Sequence, residues 1–97
     1  MLVIPLGPAA IDRALSLAQA LRRDGIGTEV AFGGRRLRSE LERAHRLGAS
    51  IVLILGDDEL RDGVVTLRDM TTGQQRPVAL ADVPGELHGL RSQGGQP

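Results

Sequence analysis

Cysteine and lysine are both absent from this 97-residue sequence, and its one aromatic side chain is Phe32. The lack of cysteine excludes a disulfide framework and a thiolate zinc site. A single aromatic residue excludes a sheet that binds RNA by stacking bases on several aromatic rings. The 12 basic and 12 acidic residues balance to a net charge of zero. The sequence is therefore neither a polybasic tail nor a strongly acidic disordered chain.

Long hydrophobic runs are also missing. No apolar stretch approaches the ~20 residues that span a bilayer, and the start, Met1–Gly7, lacks the basic region of a signal peptide. We therefore expect a cytoplasmic protein that does not enter a membrane. Hydrophobic residues make up 41% of the chain, enough for one core. We predict one domain over residues 1–91 and a flexible C-terminal tail over 92–97.

The first half of the sequence alternates between strand and helix patterns. Periodicity and glycine stops predict, in order, a strand at Leu2–Ile4, a helix over 9–24, a strand at Thr28–Phe32, a helix over 35–47 and a strand at Ile51–Leu55. Five consecutive aliphatic residues in the last of these strands are typical of a central parallel strand covered on both faces. We assign Leu37, Leu41, Ala44 and Gly48 to the inward stripe of the second helix.

The second half has a different pattern. We predict an acidic turn at Asp57–Leu60, then a hairpin of strands Val64–Met70 and Gln74–Leu80. Pro77 has no N–H, which favours an edge position for the second strand. Asp82 is a candidate N-cap for a last helix. The fold class is therefore α/β, with a mixed sheet of about five strands (three parallel, then an antiparallel hairpin) and three helices.

Residues for catalysis or cofactor binding are not recognisable. His45 and His88 do not stand at a metal-ligand spacing, and no serine lies in a GxSxG motif. No phosphate-binding loop or dinucleotide fingerprint is present. The acidic residues from Asp57 to Asp62 could hold a hard cation, although a solvated acidic turn is the simpler interpretation. We predict no catalytic residue, no metal and no cofactor.

Arginine is concentrated between residues 33 and 46. Arg35, Arg36 and Arg38 stand at the start of the predicted second helix, where cations oppose the helix dipole. A bound anion would relieve this arrangement, since a helix N-terminus with guanidinium groups is suited to phosphate. The alternative is that these arginines only solvate a surface helix, and local chemistry leaves both possibilities open.

Several motifs, in this order, resemble one known domain. The segment Leu55–Leu60 (LGDDEL) is followed by Val65–Asp69 (VTLRD) and Thr72–Gln75 (TGQQ). Two upstream segments belong to the same set of motifs: an LR-x-x-GI pattern within 17–32 and a basic helical segment at 35–50. The sequence over about residues 2–91 thus resembles the anticodon-binding domain of class II aminoacyl-tRNA synthetases, and most closely the C-terminal domain of bacterial histidyl-tRNA synthetases.

The resemblance implies a module that holds the anticodon stem-loop of histidine tRNA. By residue match, it places RNA contacts at Phe32, Arg35, Arg36, Arg38 and Glu40. The arginines would neutralise phosphates or bind guanine edges. Phe32 would stack on a base or, alternatively, belong to the core. Glu40 stands where the family often has Gln, and a carboxylate can accept but not donate hydrogen bonds.

The catalytic domain of class II synthetases has no counterpart in this sequence. We therefore expect that the chain alone is not an enzyme, although it would belong to a histidine-specific aminoacyl-tRNA ligase within a longer protein. The expected partner is tRNA, with a catalytic domain or a second copy as further possibilities. The alternative is a paralogous interaction or regulatory module that kept the fold and lost tRNA binding, with dimerisation through the edge strand at 74–80.

Overall fold

The computed structural model describes residues 1–31 and 36–87. Within these ranges the chain forms five strands, four α-helices and a short 3₁₀ helix. The strands are β1 (Leu2–Pro5), β2 (Glu29–Val30), β3 (Ile51–Leu55), β4 (Val64–Asp69) and β5 (Gln75–Ala79). The helices are α1 (Pro8–Arg23), α2 (Leu37–Arg46), α3 (Asp57–Asp62), the 3₁₀ helix Leu80–Asp82 and α4, described over 83–87.

The strands form one sheet in the order β2-β1-β3-β4-β5. Strand β1 pairs in parallel with β2 and β3, whereas β3–β4 and β4–β5 are antiparallel. In the register, Leu53 lies opposite Val3 on one side and Leu67 on the other. The predicted mixed sheet of three parallel strands and a hairpin is confirmed. Strand β5 lies at an edge, as the position of Pro77 indicated.

Three helices cover one face of the sheet and α2 covers the other. On the first face, α1, α3 and α4 pack on a buried cluster that includes Leu21, Leu53 and Leu87. On the second face, Ala44 of α2 packs against residues of β1 and β3 such as Ile54. This face is less completely covered toward β5, where Gln75, Pro77 and Ala79 are exposed.

The acidic segment after β3 corrects the prediction of a turn, so the described residues contain four α-helices where three were predicted. Asp57–Asp62 forms α3, and its three first-turn carboxylates favour the positive end of the helix dipole. The Gly56 N–H donates to Glu59 Oε1 at 2.9 Å, which caps the first turn. Gly63 ends the helix with φ of 70°, a conformation that glycine adopts readily.

Smaller differences concern strand and helix ends. Within the described residues the second strand covers Glu29–Val30. The Thr28 carbonyl just before it accepts a hydrogen bond from Arg22 Nε at 2.9 Å, and Phe32, at the end of the predicted strand, lies outside the described residues. Asp82 is the last residue of the 3₁₀ helix, so the chain is already helical before α4 and Asp82 is not an N-cap. The predicted tail, 92–97, lies outside the described residues.

Candidate nucleic-acid interface

Two of the predicted contact residues lie at the start of α2 on the protein surface. Arg36 is the N-cap residue and is exposed, and no side chain caps the helix there. The side chain of Arg38 is 91% exposed, and its Nε lies 3.7 Å from Glu42 Oε1. Exposed ion pairs of this kind contribute little, typically ~0–1 kcal/mol. Both arginines can therefore turn their donors toward a ligand. Phe32 and Arg35 lie outside the described residues.

Glu40, by contrast, is a buried residue of α2. Its side chain is only 3% exposed, and Oε2 lies 3.6 Å from Nη1 of Arg43. The helical period places Glu40 on the same side as Leu37 and Ala44, so it shares the inward stripe of α2 with apolar residues. A side chain in this position packs between α2 and the sheet, and its carboxylate is not exposed to solvent.

The two glutamates of α2 offer a test of this difference. We expect Glu40→Ala to lower the free energy of unfolding by about 1–3 kcal/mol, because it removes a buried partner of Arg43. The matched change Glu42→Ala should cost less than about 0.5 kcal/mol, since the Glu42 side chain is 62% exposed. Urea unfolding followed by circular dichroism measures both. If the two variants lost the same free energy of unfolding, the burial of Glu40 would add nothing to the stability of the domain.

A groove between α2 and β4 adds residues that the sequence did not group together. It has a volume of about 580 Å³, and its lining includes Arg38, Arg46 and Arg68. Leu41 and Met70 contribute apolar surface to the same groove. No sequence motif links β4 to α2. The groove arises because β3 pairs with β4 and α2 packs over β3, and sequence spacing alone does not reveal this.

Arg68 is the most constrained of these arginines. Its Nη1 donates to Gln75 Oε1 at 2.9 Å, a cross-strand contact between residues that face each other in the β4–β5 register. Its Nε is buried and has no hydrogen-bond partner among the described residues. The guanidinium is thus held at the sheet surface, and one of its donors is left unsatisfied.

Two negative findings apply to the part of the chain that the structure describes. No group of three or more His, Cys, Asp or Glu residues is arranged to hold a metal ion. No described helix is long and apolar enough to cross a membrane.

The fold agrees with comparisons to known proteins. The profile of the family described as "Anticodon binding domain" matches residues 1–90. The chain therefore belongs to the anticodon-binding domain family. Within it, the chain is homologous to the C-terminal domain of histidyl-tRNA synthetase, and it contains no catalytic part.

The individual relatives support this placement. The histidine–tRNA ligase of Nocardia farcinica is 42% identical over 84 residues, which cover 87% of this chain and 20% of the relative. The crystal structure of histidyl-tRNA synthetase from Nostoc sp. PCC 7120 matches with a TM-score of 0.84 and 28% identity, over 90% of this chain and 21% of that one. The chain thus spans about a fifth of the length of these relatives.

A more distant structure shares the fold alone. The RNA-binding domain of threonyl-tRNA synthetase from Cryptosporidium parvum has a TM-score of 0.84 at 22% identity, covering 91% of this chain and 22% of that chain. The predicted family is confirmed by the profile match and by the histidine–tRNA ligase relatives, whereas this structure shows only that the RNA-binding domain of a second synthetase has the same architecture.

Proposed function

We propose that this domain binds the anticodon stem-loop of histidine tRNA. The observation that carries the proposal is the exposed pair Arg36 and Arg38 at the start of α2, in a domain whose relatives are histidine–tRNA ligases. Guanidinium groups suit this role, because they donate paired hydrogen bonds to phosphates and to guanine edges. Phe32 and Arg35 remain part of the proposed contact surface on the strength of the residue match.

Glu40 has a supporting role in this proposal. Because its carboxylate is buried beside Arg43, we assign it to positioning α2 and not to direct contact with a base. The chain spans about a fifth of its relatives, so we further propose that it does not aminoacylate tRNA by itself. Any charging of tRNA would need a catalytic domain, in the same protein or as a partner. We also propose that the domain binds tRNA in the cytoplasm.

A binding titration tests the proposal. We expect the full chain to bind a histidine tRNA transcript at least about tenfold more tightly than the same transcript with a replaced anticodon, since one discriminated base contributes ~1–3 kcal/mol. Fluorescence anisotropy at fixed salt measures both affinities. The replaced-anticodon transcript is the matched control, because its length, charge and remaining sequence are identical.

The titration also separates the alternative function. Equal affinity for the two transcripts would contradict anticodon recognition. Absence of binding to either, together with a stable dimer in light scattering, would support an interaction or regulatory module. The double variant Arg35→Ala/Arg38→Ala completes the test: unchanged affinity and salt dependence would show that RNA does not use this end of α2.

A further inference from the structure

We propose that α4 continues beyond residue 87 and places Leu90 in a cavity on the first face of the sheet, an inference that goes beyond the proposed function and does not depend on RNA binding. Residues 88–97 follow the described part of α4. The cavity has a volume of about 140 Å³ and lies between the start of β5 and the facing ends of β4 and β3. Ile51 and Leu67 form its apolar floor.

The contacts of the described part of α4 fix the direction in which it runs. Just before the helix, the Leu80 N–H donates to the Gly63 carbonyl at 3.0 Å, level with the end of β5. Further along the chain, Glu86 Oε2 accepts a hydrogen bond from Nη2 of Arg76, near the middle of β5, at 2.9 Å. The helix therefore runs antiparallel to β5. Its next turn lies over the cavity, whose lining includes Arg76 and Gln74.

The helical period places Leu90 on the buried side of α4. Val83 and Leu87 are 0% and 1% exposed, and both belong to the core cluster of the first face. Leu90 follows them at the i+7 and i+3 spacings that keep residues on one side of a helix. At a rise of about 1.5 Å per residue, it lies about 4.5 Å beyond Leu87 along the axis. Because helical side chains lean toward the N-terminus, Leu90 points back toward Leu67.

The size of the cavity fits one aliphatic side chain. Its volume of about 140 Å³ is close to that of an apolar cavity of about 150 Å³, which accepts a molecule as large as benzene. Ile51 is only partly buried by the described residues, so an apolar group above it removes further apolar surface from water. A leucine in this position completes the core of the first face.

Charge also favours this segment of the chain as the occupant. Asp69 lies at the mouth of the cavity, and the other charged residue of the lining, Arg76, is paired with Glu86. Residues 88–97 contain one arginine, one histidine and no acidic side chain. The segment therefore complements the carboxylate of Asp69.

Two neighbouring alanine variants of the full chain should shift the melting temperature in opposite directions. Gly89→Ala should raise it by about 2–6 °C, because alanine is favoured over glycine inside a helix. Leu90→Ala should lower it by at least about 6 °C, because it empties a filled cavity. The matched control Leu47→Ala removes the same atoms from a leucine that is 61% exposed and should stay within about 3 °C of the parent. Circular dichroism measures all three.

Methyl NMR of the full chain identifies the contact directly. With isoleucine and leucine methyl groups labelled, we expect a nuclear Overhauser cross-peak between Ile51 and Leu90 that is absent from Leu90→Ala. A double-mutant cycle gives the same information from stability. Ile51→Ala and Leu90→Ala together should lower the melting temperature by less than the sum of their separate effects, because they share one cavity.

Each possible result decides the inference. The cross-peak together with opposite shifts for the two alanine variants supports it. If Leu90→Ala behaves like Leu47→Ala, or the cross-peak is absent, Leu90 does not fill the cavity. A lower melting temperature for Gly89→Ala contradicts a helix that reaches residue 90. A cross-peak that disappears on dilution assigns the leucine to a second copy, which also overturns the inference. Since these measurements contain no RNA, the tRNA titrations test the proposed function separately.

Discussion

Replacing Arg36 and Arg38 together by alanine is expected to weaken binding of histidine tRNA by about 25- to 60-fold at 0.1 M salt. Both residues are exposed at the start of α2, and each is expected to neutralise one phosphate. Two lost phosphate contacts reduce the steepness of the plot of log K against log salt by about 1.4–1.8. Between 1 M salt, taken as the reference, and 0.1 M salt, this difference in slope corresponds to the stated fold-change. Anisotropy titrations between 0.05 and about 0.3 M salt measure both quantities.

The matched control is Arg13→Ala/Arg23→Ala on α1. It removes the same charge from exposed positions of the helix that covers the opposite face. We expect a change in affinity of less than about threefold, because only long-range attraction is lost, and this is screened beyond ~10 Å at 0.1 M salt. If both double variants lose affinity equally, binding depends on overall charge and has no specific surface at α2.

Leu53→Ala is expected to have the largest effect on stability, about 2–5 kcal/mol of the free energy of unfolding. Leu53 is fully buried in the central strand β3, opposite Val3 and Leu67. A domain of this size has a total stability of ~5–15 kcal/mol, so the variant would melt roughly 10 °C or more below the parent. Thermal unfolding followed by circular dichroism measures the shift.

Leu47→Ala provides the corresponding control. Leu47 follows α2 and is 61% exposed, so the same change of side chain removes little buried area. We expect its melting temperature to stay within about 3 °C of the parent. Similar losses for the two leucine variants would mean that Leu47 is buried in solution, for instance in a dimer.

The sequence predicts the central elements well because their patterns are local. Five consecutive aliphatic residues mark β3 at the bounds that the structure shows, Ile51–Leu55. Residues with two plausible local states are harder to assign. The acidic composition of Asp57–Asp62 is typical of a turn. The segment forms a helix because Glu59 caps its first turn and Gly63 ends it. In α1 the spacing of apolar residues does not by itself separate the two faces, since Leu17 is buried whereas Leu15 is 36% exposed.

The candidate site is predictable only where it is contiguous in sequence. The sequence shows the basic start of α2 as Arg36 and Arg38, but only the structure shows that these two side chains are exposed and that of Glu40 is buried. The inward position of Glu40 follows from the helical period, but a charged residue is normally assigned to the surface. The contribution of Arg68 depends on strand order, since β4 reaches α2 only through its pairing with β3. No spacing rule in the sequence contains that information.

Pro77 has a consequence for how the domain behaves at high concentration. On either side of β5, the Leu80 N–H donates to the Gly63 carbonyl at 3.0 Å and the Gln74 carbonyl accepts from the Asp69 N–H at 2.9 Å. Even-numbered positions therefore face β4, and the odd-numbered positions of β5 direct their N–H groups to the free edge. Proline removes the donor at the middle of that edge. A second chain cannot extend the sheet at β5 with a regular ladder, so strand-paired growth and dimerisation through 74–80 are both disfavoured.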